Sequence, residues 1–276
     1  MLAFAANSLL CRLALGQGLI DAASFATVRV IAGAVTLSLI VLPRWRARVR
    51  SSTDWRSVAM LFTYMVGFSF AYLSLSAGTG ALILFGAVQL TMFITALRGG
   101  EEFPLWSWAG LLLAVLGLVY LVSPGVTAPA PGGAVLMAIA GVAWGIYSLR
   151  GRGAADPLEA TANNFIYAVP LVLIVSLVFL GDLKTSPRGL ALATASGAIA
   201  SGLGYVIWYA ALRTLTATRA ATVQLAVPVI AAFGGVILLA EEVTARLVLA
   251  SVATLGGVAI VLARRGARPA TLGTRR

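Results

Sequence analysis

Long apolar runs, broken at short intervals by charges, glycines and prolines, make up most of this chain. They fall at roughly 1–16, 24–42, 56–76, 81–97 and 104–122. After an uncharged, Pro/Gly-rich stretch from Ser123 to Gly133, they resume at 134–149, 158–180, 189–212, 220–240 and 243–263. A helix needs roughly 20 apolar residues to cross a bilayer, and lipid offers the backbone no hydrogen-bond partners, so only helices or closed barrels can span it. The short alternating strands of a barrel are missing. The pattern therefore predicts an all-α membrane protein of ten transmembrane helices, five on each side of the Pro/Gly-rich break. The first run has no basic region before it and no convincing cleavage site, so it reads as a mature helix.

The two sets of five resemble each other. Phe68 and Tyr72 in the third span correspond to Tyr205 and Tyr209 in the eighth, and Val88-Gln89-Leu90 corresponds to Val223-Gln224-Leu225. An acidic pair follows each time, Glu101-Glu102 and Glu241-Glu242. An odd number of spans per half makes the second copy enter the membrane from the opposite face, an arrangement typical of alternating-access transporters with a midplane site. The predicted domains are a first repeat at 1–125, a second at 130–266 and a basic tail at 267–276.

Composition removes the alternatives. Of 276 residues, 60% are hydrophobic and 11% charged, with a mean hydropathy of +0.98, which no water-soluble domain could bury. The net charge of +11 is spread over loops rather than gathered on one patch, so it argues for topology and against nucleic acid. Arg44, Arg46, Arg48, Arg50, Arg56, Arg98, Arg150, Arg152, Arg213, Arg219 and the C-terminal arginines fall on one side. Only Lys184, Arg188 and Arg246 fall on the other. The positive-inside rule then puts both termini in the cytoplasm, as expected of a multi-pass protein of a bacterial inner membrane. A single cysteine, Cys11, and no histidine exclude disulfides, thiolate clusters and His-based catalysis or metal binding. No cofactor or metal is called for, and no enzyme activity is expected.

Several residues resemble a known family. Tyr209-Ala-Ala-Leu-Arg213, Thr216 through Gln224, Pro228, Glu241-Glu-Val-Thr244 and Trp144-Gly145 with Arg152 are similar to the EamA-type domain of the drug/metabolite transporter superfamily. The first half fits less well, with Phe4 where that family often has Trp. The resemblance implies a ten-helix carrier, often an exporter of amino acids or related metabolites.

Polar and aromatic residues deep in spans are the candidate substrate contacts, because an unpaired polar group at midplane is costly. Tyr64, Phe68 and Tyr72 share a helical face, and so do Tyr205, Trp208 and Tyr209. With Trp144 and Tyr147 they would line an aromatic cavity, unless they serve as interfacial belts or helix packing. Asn7, Gln89, Asn163, Asn164 and Gln224 are neutral donors and acceptors, suited to a zwitterion or to gluing helices together. Pro228 is a candidate hinge. Arg12 and Arg29 read as structural, snorkelling or paired with Asp21, although either could hold a carboxylate. All nine acids fall in loops or at span ends, which leaves tight proton coupling without a relay. The expected function is export of small amphipathic metabolites, aromatic or neutral amino acids above all; a carrier of phosphate-linked sugars or lipids is the alternative. The partners are that small molecule and the surrounding lipid; a monomer suffices, and the sequence leaves the oligomeric state open.

Overall fold

The computed structural model describes residues 1–45, 53–100, 103–212 and 223–265. Arg46, Arg48, Arg50, Glu101, Glu102, Arg213, the stretch from Thr216 to Arg219 and the tail at 267–276 lie outside the described residues. Every extended element described is a helix: α1 (Leu2–Gly16), α2 (Ala22–Trp45), α3 (Trp55–Ala71), α4 (Ala77–Arg98), α5 (Leu105–Val122), α6 (Pro131–Arg152), α7 (Pro157–Val178), α8 (Pro187–Ala195), α9 (Gly204–Leu212), α10 (Ala226–Leu239) and α11 (Ala245–Arg265). A π-helical segment, Ser196–Leu203, joins α8 to α9 in one continuous rod. Among the described residues, seven helices are long and apolar enough to cross a membrane. Leu2–Gly16 and Ala226–Leu239 are shorter apolar helices, and α3 has 17 residues.

Local chemistry sets the helix ends. Pro131, Pro157 and Pro187 open α6, α7 and α8, where a proline's missing N–H would have had no partner anyway. Asp156 caps α7 by accepting from the backbone N–H of Leu158 at 3.1 Å and Glu159 at 3.2 Å. Ser76 does the same for α4, and Ser186 for α8.

Burial is inverted relative to a soluble protein. Trp106, Leu112, Ile174, Leu177, Ile207, Phe233 and Val252 are exposed. Arg29, Asn7, Ser69, Thr161, Ser196, Ser201 and Gln224 are buried. That is the arrangement expected where the solvent is lipid and polar groups must find partners inside the bundle. The chain is a multi-pass helical membrane protein.

Small residues let the helices touch. A Cβ on Gly110 of α5 would lie 2.6 Å from the Gly257 carbonyl of α11, and one on Gly117 would lie 2.6 Å from Thr254 Oγ1. In lipid, helices associate by close packing rather than by hydrophobic drive, so this seam carries the α5–α11 contact. Gly257→Val is expected to destabilise the protein by about 1–3 kcal/mol through overpacking. Reversible unfolding in detergent checks this; an unchanged midpoint would contradict the seam.

The helices pack in a defined pattern. α2 lies on α7, on α8 and on the π segment, and α3 lies on α6 and α7. α4 lies on α6 and α10, and α1 on α8, the π segment and α10. At one end, the backbone N–H of Asp21 donates to the Lys184 carbonyl at 2.8 Å, tying the α1–α2 loop to the segment before α8.

Candidate functional site

The centre of the bundle is a knot of rings. Trp144 of α6 lies 4.9 Å from Tyr64 of α3, 5.1 Å from Tyr205 of α9, 5.6 Å from Tyr147 and 5.9 Å from Phe4 of α1, centroid to centroid. Phe4 also meets Trp208 at 5.7 Å. The four-residue spacing in α3 does put Tyr64, Phe68 and Tyr72 in a row, at 5.5 and 4.8 Å. The expected aromatic wall is thus drawn from α1, α3, α6 and α9, with Phe165 of α7 against Tyr205 at 5.8 Å. These rings are buried in the bundle.

A polar network runs along this knot. Asn7 donates from Nδ2 to Tyr64 Oη at 3.4 Å and accepts a short bond from Ser196 Oγ. Arg29 of α2 donates from Nη2 to the same Tyr64 Oη at 3.0 Å and from Nε to Ser201 Oγ at 3.2 Å. Its guanidinium carbon stands 4.7 Å from the Phe68 ring centroid and 5.2 Å from that of Tyr64, so both ring faces help solvate the cation. Ser196 and Ser201 lie five residues apart, which in an α-helix would put them roughly 140° apart around the axis. The i→i+5 bonding of the π segment brings them over one another instead. Gly197 lets that segment meet the Arg29 backbone: any Cβ there would collide with the Arg29 carbonyl.

At one end of the bundle an inward-turned acid makes the closure. Glu241 Oε1 accepts from Arg12 Nε at 3.0 Å, and its Oε2 caps α4 by accepting from the Ala77 N–H at 2.8 Å. Arg12 also donates to the Tyr72 carbonyl at 3.2 Å. Ala240 makes this possible with a left-handed backbone (φ 51°), a conformation unusual for a residue with a Cβ, which ends α10 and swings Glu241 back over Gly235. Arg12 is therefore not the partner of Asp21, whose carboxylate instead accepts the N–H groups of Ser24 and Lys184 at 2.8 and 3.1 Å.

At the other end lies a cavity of about 730 Å³ lined by Asp54, Ser57, Arg150, Asp156, Asn163 and Asn164, among others. Asp54 and Arg150 form a bidentate pair at its rim, with bonds of 2.7 to 3.0 Å. Slight burial pushes the Asp54 carboxyl up, but bonds from Ser57 and Arg150 outweigh it and hold it below its ordinary range. Asn164 links this cavity to the aromatic knot by donating to Tyr147 Oη at 3.4 Å.

The candidates from sequence divide accordingly. Asn7, Tyr64, Phe68, Trp144, Tyr147, Tyr205 and Trp208 converge at the centre. Tyr209 is buried further along α9, near Gly151. Tyr72 belongs to the closed end, and Asn163, half-buried, to the cavity. Gln89 and Gln224 are buried on α4 and just before α10. The helical ladder breaks at Leu225, three residues before Pro228, whose ring cannot donate to the Gln224 carbonyl. Arg29, Ser196, Ser201 and Phe4 are central residues that the sequence reading left outside its site. The orphan charge inside a span was the one signal that pointed to Arg29.

A polar, ring-lined centre inside a lipid-facing helical bundle, with an ion pair at one end and a cavity at the other, suits a membrane transporter. The chain belongs to the EamA-like transporter family, within the drug/metabolite transporter superfamily: the family model matches residues 131–263. It is 49% identical over 273 residues, 99% of this chain and 95% of the relative, to the uncharacterized protein PA1977 of Pseudomonas aeruginosa. An uncharacterized transporter of Archaeoglobus fulgidus is 28% identical over 73% of this chain and 74% of its own. The uncharacterized transporter YoaV of Bacillus subtilis is 20% identical over 85% of each. A solved crystal structure matches with a TM-score of 0.67 and 20% identity, covering 94% of this chain and 96% of the other; that likeness is one of fold.

Proposed function

We propose that this protein exports small amphipathic metabolites, aromatic or neutral amino acids first among them, across a bacterial inner membrane by alternating access. The observation that carries the reading is the central knot of Asn7, Arg29, Tyr64, Trp144 and Tyr205. It is built from both halves of the chain and set between an ion-paired end and a hollow one. Apolar rings suit the body of such a substrate, and the neutral amides and hydroxyls suit its polar head.

In this reading the chain is ten helices in two inverted repeats, residues 1–125 and 130–266, followed by a cytoplasmic tail at 267–276. The packing pattern supports it. Exchanging the halves turns the contact of α1 with the π segment into that of α6 with α3, and the contact of α1 with α10 into that of α6 with α4. The pairs α2–α7, α4–α10 and α5–α11 map onto themselves. Arg98, Arg150 and Arg152 end α4 and α6 on the side of the cavity, which supports a cytoplasmic side there and an inward-facing carrier. Glu241 and Arg12 then hold the outer gate, and Pro228 sits where the helix must give for the gate to move.

Binding and conformational exchange suffice for this task, so the protein is a carrier and not an enzyme. A carrier of phosphate-linked sugars or lipids would want several cations facing the site, yet Glu241 already engages Arg12.

The test is uptake of radiolabelled phenylalanine, tryptophan and leucine into liposomes holding the purified protein, with and without a pH gradient. Flux that needs no gradient and falls at least several-fold in Asn7→Ala is the expected result. No flux of any amino acid would overturn the substrate assignment.

A further inference from the structure

We infer that Arg29 is the receptor for a carboxylate on the transported molecule, and that the carboxylate, rather than any amino group, is what the site selects. The inference rests on the carrier reading above and names the part of the substrate that the centre binds. Arg29 is 0% exposed, seven residues inside α2. Its Nε and Nη2 are engaged by the hydroxyls of Ser201 and Tyr64, but its Nη1 has no hydrogen-bond partner. Among the described residues no carboxylate pairs with it; Glu241 is taken by Arg12 and Asp54 by Arg150.

A guanidinium cannot shed its charge. Hydroxyl oxygens and ring faces solvate this cation without neutralising it, and a buried charge left so is unfavourable until an anion arrives. Charged residues inside spans pair with each other or mark a substrate path, and this one has no internal partner. Its free Nη1 and the second N–H of Nη2 form the fork that a carboxylate meets with two parallel bonds.

The surroundings specify the rest of the ligand. Phe68 and Tyr64 flank the guanidinium, Trp144 adjoins Tyr64 and Tyr205 adjoins Trp144, so the body next to the carboxylate is apolar or aromatic. A buried oxygen of the knot itself, Tyr205 Oη, also lacks a partner and can take part in binding as a neutral group. No acid is bonded to any residue of this knot among the described residues, so no carboxylate there pairs with a substrate ammonium. A zwitterionic amino acid and a simple monocarboxylate with the same body share the required chemistry.

The experiment titrates the purified full-length chain in nanodiscs with 3-phenylpropionate, 3-phenylpropionamide, phenylalanine and phenylalaninamide, read by tryptophan fluorescence and by ligand-induced thermal shift. Both acids are expected to bind at least about tenfold more tightly than their amides, the size of a lost charge-assisted bond pair. The two acids are expected to differ from each other only a few-fold. Arg29→Gln removes the preference for acids, and Arg29→Lys keeps part of it. Should Arg29→Gln fail to fold, the acid–amide contrast in the natural protein and the Arg29→Lys variant still decide.

Amides binding as well as acids, or an acid preference that survives in Arg29→Gln, would overturn the inference while phenylalanine flux in liposomes left the carrier reading standing. Absence of binding by all four probes would overturn the inference too, and absence of flux with it would take down the substrate assignment. A final arm separates the two sources of the carboxylate. Uptake of 3-phenylpropionate should rise with an inside-positive potential because it carries net charge, whereas phenylalanine uptake should not respond.

Discussion

Truncating Trp144 to alanine should cost the folded protein about 3–5 kcal/mol, the range seen when a large buried ring leaves a cavity behind. Trp144 is 4% exposed and touches rings from α1, α3 and α9 as well as Tyr147 on its own helix. Each such pair is worth about 0.5–1.5 kcal/mol beyond the area it buries. In lipid the apolar helices gain little from merely meeting, so lost packing is felt directly. Trp106 on α5 supplies the control: it is 65% exposed to the lipid side, and Trp106→Ala should change stability little. Reversible unfolding in detergent compares the two. Equal stabilities would mean that the ring knot is not a packed centre. Because the same rings are the proposed contact for the substrate body, Trp144→Ala should also abolish saturable transport under conditions where it remains folded, whereas Trp144→Phe should keep part of it.

Glu241→Gln is expected to loosen the closed end without unfolding the bundle. The carboxylate holds Arg12 at 3.0 Å and the Ala77 N–H at 2.8 Å, joining α1, α4 and α10 through one side chain. A hydrogen bond to a charged group contributes about 1.5–3 kcal/mol. Removing the charge should therefore raise the open fraction at this end by about one to two orders of magnitude. The protein carries its own reporter: Cys11, its one cysteine, is buried beside Arg12. A membrane-impermeant maleimide added from outside should label Cys11 slowly in the natural protein and at least about tenfold faster in Glu241→Gln. Arg12→Gln should act in the same direction. Equal labelling rates would show that the ion pair does not hold the gate. Asp54 and Arg150, exposed at the cavity rim, make the weaker pair of the two, since solvent screens it.

Much of the fold was legible before any coordinates. The apolar runs at 134–149 and 158–180 fall within a few residues of α6 and α7, and the run at 189–212 covers α8, the π segment and α9, because such signals are local. The aromatic rows were legible for the same reason: four-residue spacing puts Tyr64, Phe68 and Tyr72 on one face in any α-helix. The eighth span departs from the expectation of plain α-helix. Nothing in Ser-Gly-Ala-Ile-Ala-Ser-Gly-Leu announces a π segment, and without it Ser196 and Ser201 would not both face the centre.

Neighbouring residues mark the boundary most clearly. Asn163 and Asn164 are chemically identical and differ by one step around α7. Both border the cavity, but only the packing of α7 turns Asn164 to bond Tyr147. Glu241 read as one of an acidic pair in a loop; the left-handed turn at Ala240 brings it in over Gly235 to meet Arg12. Arg29 was visible as a charge inside a span, but whether such a charge finds a carboxylate depends on which helices cross it. Composition and periodicity therefore determined that this chain lives in lipid as a helical bundle with aromatic and amide groups inside, because those signals are carried by near neighbours along the chain. The free edge of Arg29, the closure by Glu241 and the hollow at Arg150 were decided by the tertiary structure, because each depends on contacts between residues far apart in sequence.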